Sequence, residues 1–544
     1  MKKIYSQILL GTSLLMVGSI MGQTRYLDNI TEDVQITTNI EYGTNIGIIT
    51  QAPALESLQM DVYEPANDTV SSRPVVLMIH TGSFLPPVFN GQPTGDKSDN
   101  AIVEMCKRFA KKGYVAVALN HRLGWNPVSP SEDVRRSTLI QAAYRGLQDV
   151  KTAVRFLRKS AAESGNPYGV GDKFAVGGNG TGGYISLSLA TLNDYNSELL
   201  MPKFIDTSDP ANPIPYIIPS IFGNFEATDF GMLPVDTTGD GIPDMEVPFC
   251  VPNHVGYSSE VDMVFNAGGA LPEISWLEAG EVPMASFQCV NDPLAPYGVG
   301  NVIVPTTGEF VIEAMGSKIV QEAATTYGNN DVFEGLSTIF IDNWYGTNSD
   351  IAANAATAGH DSYFGLFPVI TPAPATNPTP CGFLAEQGAP WDWWDNAAYD
   401  QIASVIQGQA PGVMGCLAIL DNPDMSVEKG MAFADLMSDF FTPRVYAALN
   451  ADGNIETGVG TEELNELSLS IYPIPATHSI NIKSDAQQLK SVELIDLTGK
   501  VIESITNINA HQVTIEKNNL NSGLYLLKII DENEASSVRR VIFK

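Results

Sequence analysis

The sequence predicts an α/β fold: a doubly wound, mostly parallel sheet, followed by a small C-terminal all-β sandwich. Three observations carry this. From about Met60 to Leu189, short apolar runs such as Val75–His80 alternate with helix-period segments, as expected of strands buried on both faces of a parallel sheet. A glycine-rich stretch, 177–183, separates one such strand from the helix after it. Beyond Leu467 the pattern changes to short alternating strands broken by turn residues, which points to a sandwich.

The elements follow in order. Residues 1–22 have a basic start, an apolar stretch from Ile8 to Ile20 and a small residue, Gly22, before a polar continuation; they read as a signal peptide. The main domain spans 23–450. It opens with the strand Val75–His80, a helix around Ala101–Lys112 and the strand Gly113–Asn120. A long helix from Leu139 to Ala162 and the strand from Lys173 come next, so the order is β-α-β-α-β-α. Strands resume at Asp262–Gly269 and Pro283–Asp292, and a last helix lies near Met425–Phe441. The stretches 192–258, 298–357 and 371–396 read as insertions. Residues 451–466 are polar and acidic, a linker, and 467–544 form the sandwich.

Composition narrows the function. The 544 residues carry 30 basic and 62 acidic side chains, a net charge of −32, which repels nucleic acid and anionic membranes. No segment after the leader is long and apolar enough for a membrane span. Five cysteines lack metal-finger spacing. Cys381 and Cys416 are one candidate bridge across a Pro-rich loop, although spacing alone does not choose a pairing.

Lys173–Tyr184 reads KFAVGGNGTGGY. This is the strand–turn–helix setting of a G-x-S-x-G nucleophile elbow, with Gly178 and Gly182 as flanking glycines and Gly180 where the serine belongs. His80-Thr81-Gly82-Ser83-Phe84 resembles the oxyanion loop of esterases, with N–H groups at Gly82, Ser83 and Thr181 as donors. Asn120–Trp125 and Tyr144–Val150 resemble further segments of carboxylesterase-like enzymes, with His121 where a tyrosine is usual and Asp149 structural. Together these segments resemble secreted α/β-hydrolases of the carboxylesterase or feruloyl-esterase type. That resemblance implies a carboxylic ester as substrate, with no cofactor needed for the chemistry. It also implies Asp292 as the acid and His360 as the base, with His254 in reserve and His80 structural.

A glycine cannot attack a carbonyl, so three readings stand. The domain is a silent hydrolase fold that binds a small ester, glycan or lipid; or Thr181 is the nucleophile in a shifted register; or Asp292 and His360 activate a water. Asp236, Thr238, Asp240 and Asp244 place oxygens at positions 1, 3, 5 and 9 of a loop, the first half of a calcium-binding scheme for a structural ion. Trp391-Asp392-Trp393-Trp394 reads as a lid, a carbohydrate-stacking surface or packing of an insertion. Tyr472–Ala476, Asp496 with Gly499-Lys500, and Gly523–Tyr525 resemble the C-terminal sorting domain of type IX secretion substrates in Bacteroidetes. This implies the secretion machinery as partner and a secreted or surface location.

Overall fold

The computed structural model describes residues 24–450, 453 and 469–543, apart from 50–52, 306, 337–339, 341, 349–350, 358–362, 374, 380, 383, 473–475, 485–486, 497–499, 519, 522 and 533–535. The expected signal peptide, nearly all of the expected linker and His360 lie outside the described residues. The chain divides into two compact units, on either side of Gly458 and Val459.

The first unit is built on eight strands, β1 (Val34–Gly47), β2 (Ala54–Pro65), β3 (Arg73–Ile79), β4 (Val115–Leu119), β5 (Val170–Asn179), β6 (Met263–Ala267), β7 (Met284–Cys289) and β8 (Leu366–Val369). Their order across the sheet is β1-β2-β4-β3-β5-β6-β7-β8. From β4 to β8 every pairing is parallel, while β1–β2 and β2–β4 are antiparallel. All residues of β3, β4, β6, β7 and β8 are buried, because helices cover both faces and leave no polar side for alternation.

On one face lies α1 (Asn100–Lys111), which buries Ala101, Ile102, Met105, Cys106, Phe109 and Ala110 at helical spacing. The other face carries α2 (Glu132–Glu163), which begins about two turns before the predicted Leu139. There Ser131 caps the helix by accepting the Val134 N–H, and Glu132 and Asp133 follow in the first turn, where the helix dipole favours anions. Between β4 and α2, Arg122 and Asp149 form a fully buried ion pair; the Asp149 carboxylate also accepts the Arg122 N–H. Such a pair fixes position more than it adds stability, and here it pins the Asn120–Trp125 loop to the helix. The final helix runs from Val427 to Leu449, longer than predicted.

The second unit has a three-stranded sheet (Leu469–Tyr472, Ser479–Ser484, Gln512–Glu516) and a four-stranded one (Val501–Ala510, Leu489–Ile495, Gly523–Asp531, Ser536–Phe543). Its core includes Ile480, Ile482, Val492, Leu494, Leu527 and Ile529. Strand alternation buries one side of each sheet, as the sequence pattern requires.

Candidate functional site

In a parallel α/β sheet the loops at the carboxyl ends of the strands gather along one edge, where ligands bind. Here that edge brings together the turn after β3 (His80–Phe84), the turn after β5 (Gly180) and the turn after β7 (Asp292). All three line one chamber.

The turn after β5 has the predicted elbow geometry. Gly180 has φ +52° and ψ −117° and precedes the helix Thr181–Thr191, a conformation costly for any side chain. Its flanking glycines are packing glycines. A Cβ on Gly178 would stand 2.2 Å from the Gly182 main chain, and one on Gly182 would stand 2.4 Å from the Ile79 carbonyl oxygen. Gly183 and Tyr184 donate their N–H groups to the Gly180 carbonyl, whereas those of Thr181 and Gly182 have no main-chain acceptor, as at any helix start.

What the sequence does not reveal is the occupant of the missing side chain's space. A Cβ built on Gly180 would lie 2.1 Å from Thr81 Oγ1 and 3.0 Å from Thr81 Cβ. Thr81 stands in the loop that resembles the main-chain oxyanion device of esterases. Its hydroxyl fills the place a nucleophilic side chain would take. Gly82 and Ser83 adopt φ +114° and +52° and line the chamber with Thr81. Thr181 faces the neighbouring cavity, and its buried hydroxyl has no hydrogen-bond partner.

Asp292 Oδ1 accepts the N–H groups of Leu294 and Ala295, and desolvation pushes its carboxyl up to about 7. No histidine contacts it among the described residues. His360, the expected base, lies outside the described residues; β8 begins at Leu366, just after Gly365, which accepts the Ser286 N–H. The chain leaving β8 at Val369 is the one delivered to the Gly180 edge, and it carries no histidine before His478. It supplies Gly388, Ala389, Trp391 and Asp392 to the chamber instead.

The other histidines are placed elsewhere. His254 points its Nε2 at the Tyr42 carbonyl, 2.8 Å away, with its ring against Phe156, and lines neither cavity beside Gly180. His80 is buried, its Nδ1 2.6 Å from the Thr81 carbonyl and its ring stacked on His121 with centroids 4.6 Å apart. Burial lowers the pKa of both, that of His121 to about 3, so the stacked pair is neutral and structural.

Two chambers meet at Gly180. The inner one encloses about 1030 Å³, mouth included, and is walled by apolar groups such as Trp125, Ile140, Leu192, Trp276 and Ile312. The outer one, about 590 Å³, is polar and holds Asp292, Asp392, Asp421, Asn90 and Gln92.

Two further segments singled out in the sequence lie as follows. Trp391 and Trp393 are buried, Trp391 against Phe287 and Trp393 over Gly430, so the tryptophan run packs the last insertion against the sheet and is not an exposed stacking surface. In the Asp236–Asp244 loop, Asp236 accepts the N–H groups of Thr238, Gly239 and Gly241, and Asp244 accepts the Thr237 hydroxyl. Among the described residues no group of three His, Cys, Asp or Glu side chains is assembled as metal ligands. Cys381 and Cys416 do form a disulfide, and Cys106, Cys250 and Cys289 remain buried free thiols.

Comparison with known families agrees with this geometry. Residues 60–241 match the BD-FAE family model, and residues 470–544 match that of the secretion system C-terminal sorting domain. This chain joins an esterase-like BD-FAE domain to a type IX secretion sorting domain. No curated protein matches the chain. Among solved structures, Thermogutta terrifontis esterase 2 phosphoramylated by tabun aligns at 15% identity and TM-score 0.29, covering 54% of this chain and 80% of that one. Its propionate-bound form aligns at 16% identity and TM-score 0.29, with coverages of 54% and 80%. A bifunctional GH43-CE protein of Bacteroides eggerthii aligns at 16% identity and TM-score 0.28, covering 53% of this chain and 31% of that one. The sorting domain marks the protein for export, to the medium or the cell surface, through the secretion machinery. No described helix is long and apolar enough to cross a membrane.

Proposed function

We propose that this exported hydrolase-fold domain binds a small ester-like or glycan ligand in the old catalytic cleft without turning it over. One observation carries the reading: the side-chain space at Gly180 is taken by the Thr81 hydroxyl, so the pocket is packed for a glycine. A recent loss of serine would have left that space open. The large inner cavity is retained, which suits a binder.

The test uses p-nitrophenyl butyrate with the full chain. Quenching of tryptophan fluorescence reports binding, since Trp125 and Trp276 wall the cavity, and nitrophenolate release reports turnover. Saturable quenching is expected, with no release above a heat-inactivated control and loss of quenching in Ala143→Phe, which fills the cavity. Catalytic release would withdraw the proposal.

A further inference from the structure

We infer that the outer chamber recognises an organic ammonium group, so that the ligand is an amphiphilic amine whose apolar part enters the inner cavity. This rests on the binding reading above and narrows it to a ligand class.

Three carboxyl groups, from Asp292, Asp392 and Asp421, line the chamber beside Thr81 and Gly180. Asp392 is only 5% exposed, and its carboxylate has no hydrogen-bond or ion-pair partner among the described residues. A buried charge of that kind is costly unless something pairs with it. Lys429 Nζ, whose charge reaches Asp421, is already committed to Gln387, Asn422 and Asp424. Desolvation raises all three carboxyls above their ordinary range, in keeping with a cluster that lacks its cation.

The chamber's amides decide between a cation and a polyol. Asn90 spends its N–H donors on the carbonyls of Gly82 and Thr94, and its oxygen accepts the Gln92 N–H. Gln92 donates to Asp421 Oδ2 and accepts from Thr94 Oγ1. Beside the hydroxyls of Thr81 and Ser83 and the second Nε2–H of Gln92, what remains is a majority of acceptors: Asp292 Oδ2, the Asp392 carboxylate and Asp421 Oδ1. A sugar hydroxyl needs acceptors and donors, whereas an ammonium needs acceptors only. The chamber shares Thr81, Ser83, Gly180, Gly268, Leu294 and Pro305 with the apolar cavity. A cation held at the carboxyls therefore leaves its hydrocarbon part facing that cavity.

The experiment is calorimetric titration of the full chain with 4-phenylbutylamine and with its uncharged analogue 4-phenylbutanol. The amine is expected to bind at least tenfold more tightly. Asp392→Asn and Asp421→Asn should each shrink that preference below threefold while leaving the alcohol's affinity unchanged; cooperative thermal melts establish that both variants fold. Equal affinity for amine and alcohol overturns the ammonium assignment and leaves the binding reading standing. An amine preference untouched by both variants, or no binding of either compound, also overturns it. Hydrolysis of the p-nitrophenyl ester would instead remove the binding reading itself.

Discussion

Restoring serine at position 180 is the sharpest perturbation, because the structure says it should fail alone. A serine there must adopt φ +52°, a strain of about 1–3 kcal/mol, and its Cβ meets Thr81 Oγ1 at 2.1 Å. Overpacking of this kind costs a further ~1–3 kcal/mol. Thr81 can swing its hydroxyl aside, but its Cβ remains 3.0 Å away, so rotation relieves only part of the clash. Gly180→Ser should therefore lower stability by about 2–6 kcal/mol. Combined with Thr81→Gly, which empties the space, it should lose less than the two single losses summed. We expect a coupling of about 1–3 kcal/mol in favour of the pair, read from equilibrium urea unfolding of the wild type, both singles and the double. Additivity within about 0.5 kcal/mol would refute the claim that Thr81 occupies the nucleophile's space.

Two other outcomes follow from the same geometry. Asp99 and Asp292 are held at about 7 by burial, and Asp392 is raised further. The folded state therefore binds more protons than the unfolded chain above the ordinary carboxylate range, and stability should rise as pH falls from 8 to 6.5. Below 6.5 the lowered pKa values of His80, His121 and His254 act in the opposite direction, so the gain in urea midpoint should level off there. Asp392→Asn should flatten the alkaline limb, and a midpoint that climbs steadily to pH 8 would contradict this. Calcium at the Asp236–Asp244 turn is a separate proposal. At tenfold excess over its Kd it would add about 1.4 kcal/mol, seen as a Tm rise of ~2 °C that Asp240→Asn abolishes; identical melts with calcium and chelator withdraw it.

Local chemistry made much of this legible. Unbroken apolar runs announced the central strands, and the spacing of Gly178, Gly180 and Gly182 announced the elbow, because Gly178 must clear the Gly182 main chain and Gly182 must clear the Ile79 carbonyl. The antiparallel pair β1 and β2 was harder to read. Residues such as Glu41, Asn45, Glu56 and Asp61 interrupt both strands, so neither shows the apolar run of a doubly covered strand. The Thr81–Gly180 contact was invisible, since it joins residues distant in sequence whose meeting depends on the pairing of β3 with β5. Asp392 was masked by its setting. Flanked by tryptophans, it reads as part of an aromatic patch, and only the packing of Trp391 and Trp393 into the core turns the carboxylate toward the cleft.

The cysteine arrangement constrains how the exported chain must mature. One bridge ties the segment after β8 to the helix at Val413–Ala418, while three thiols sit deep in the sheet and helices. In an oxidising compartment any of these thiols could be captured by Cys381 or Cys416 while the chain is still open. Correct oxidation thus depends on timing: the sheet has to close over Cys106, Cys250 and Cys289 before an oxidant reaches the strap.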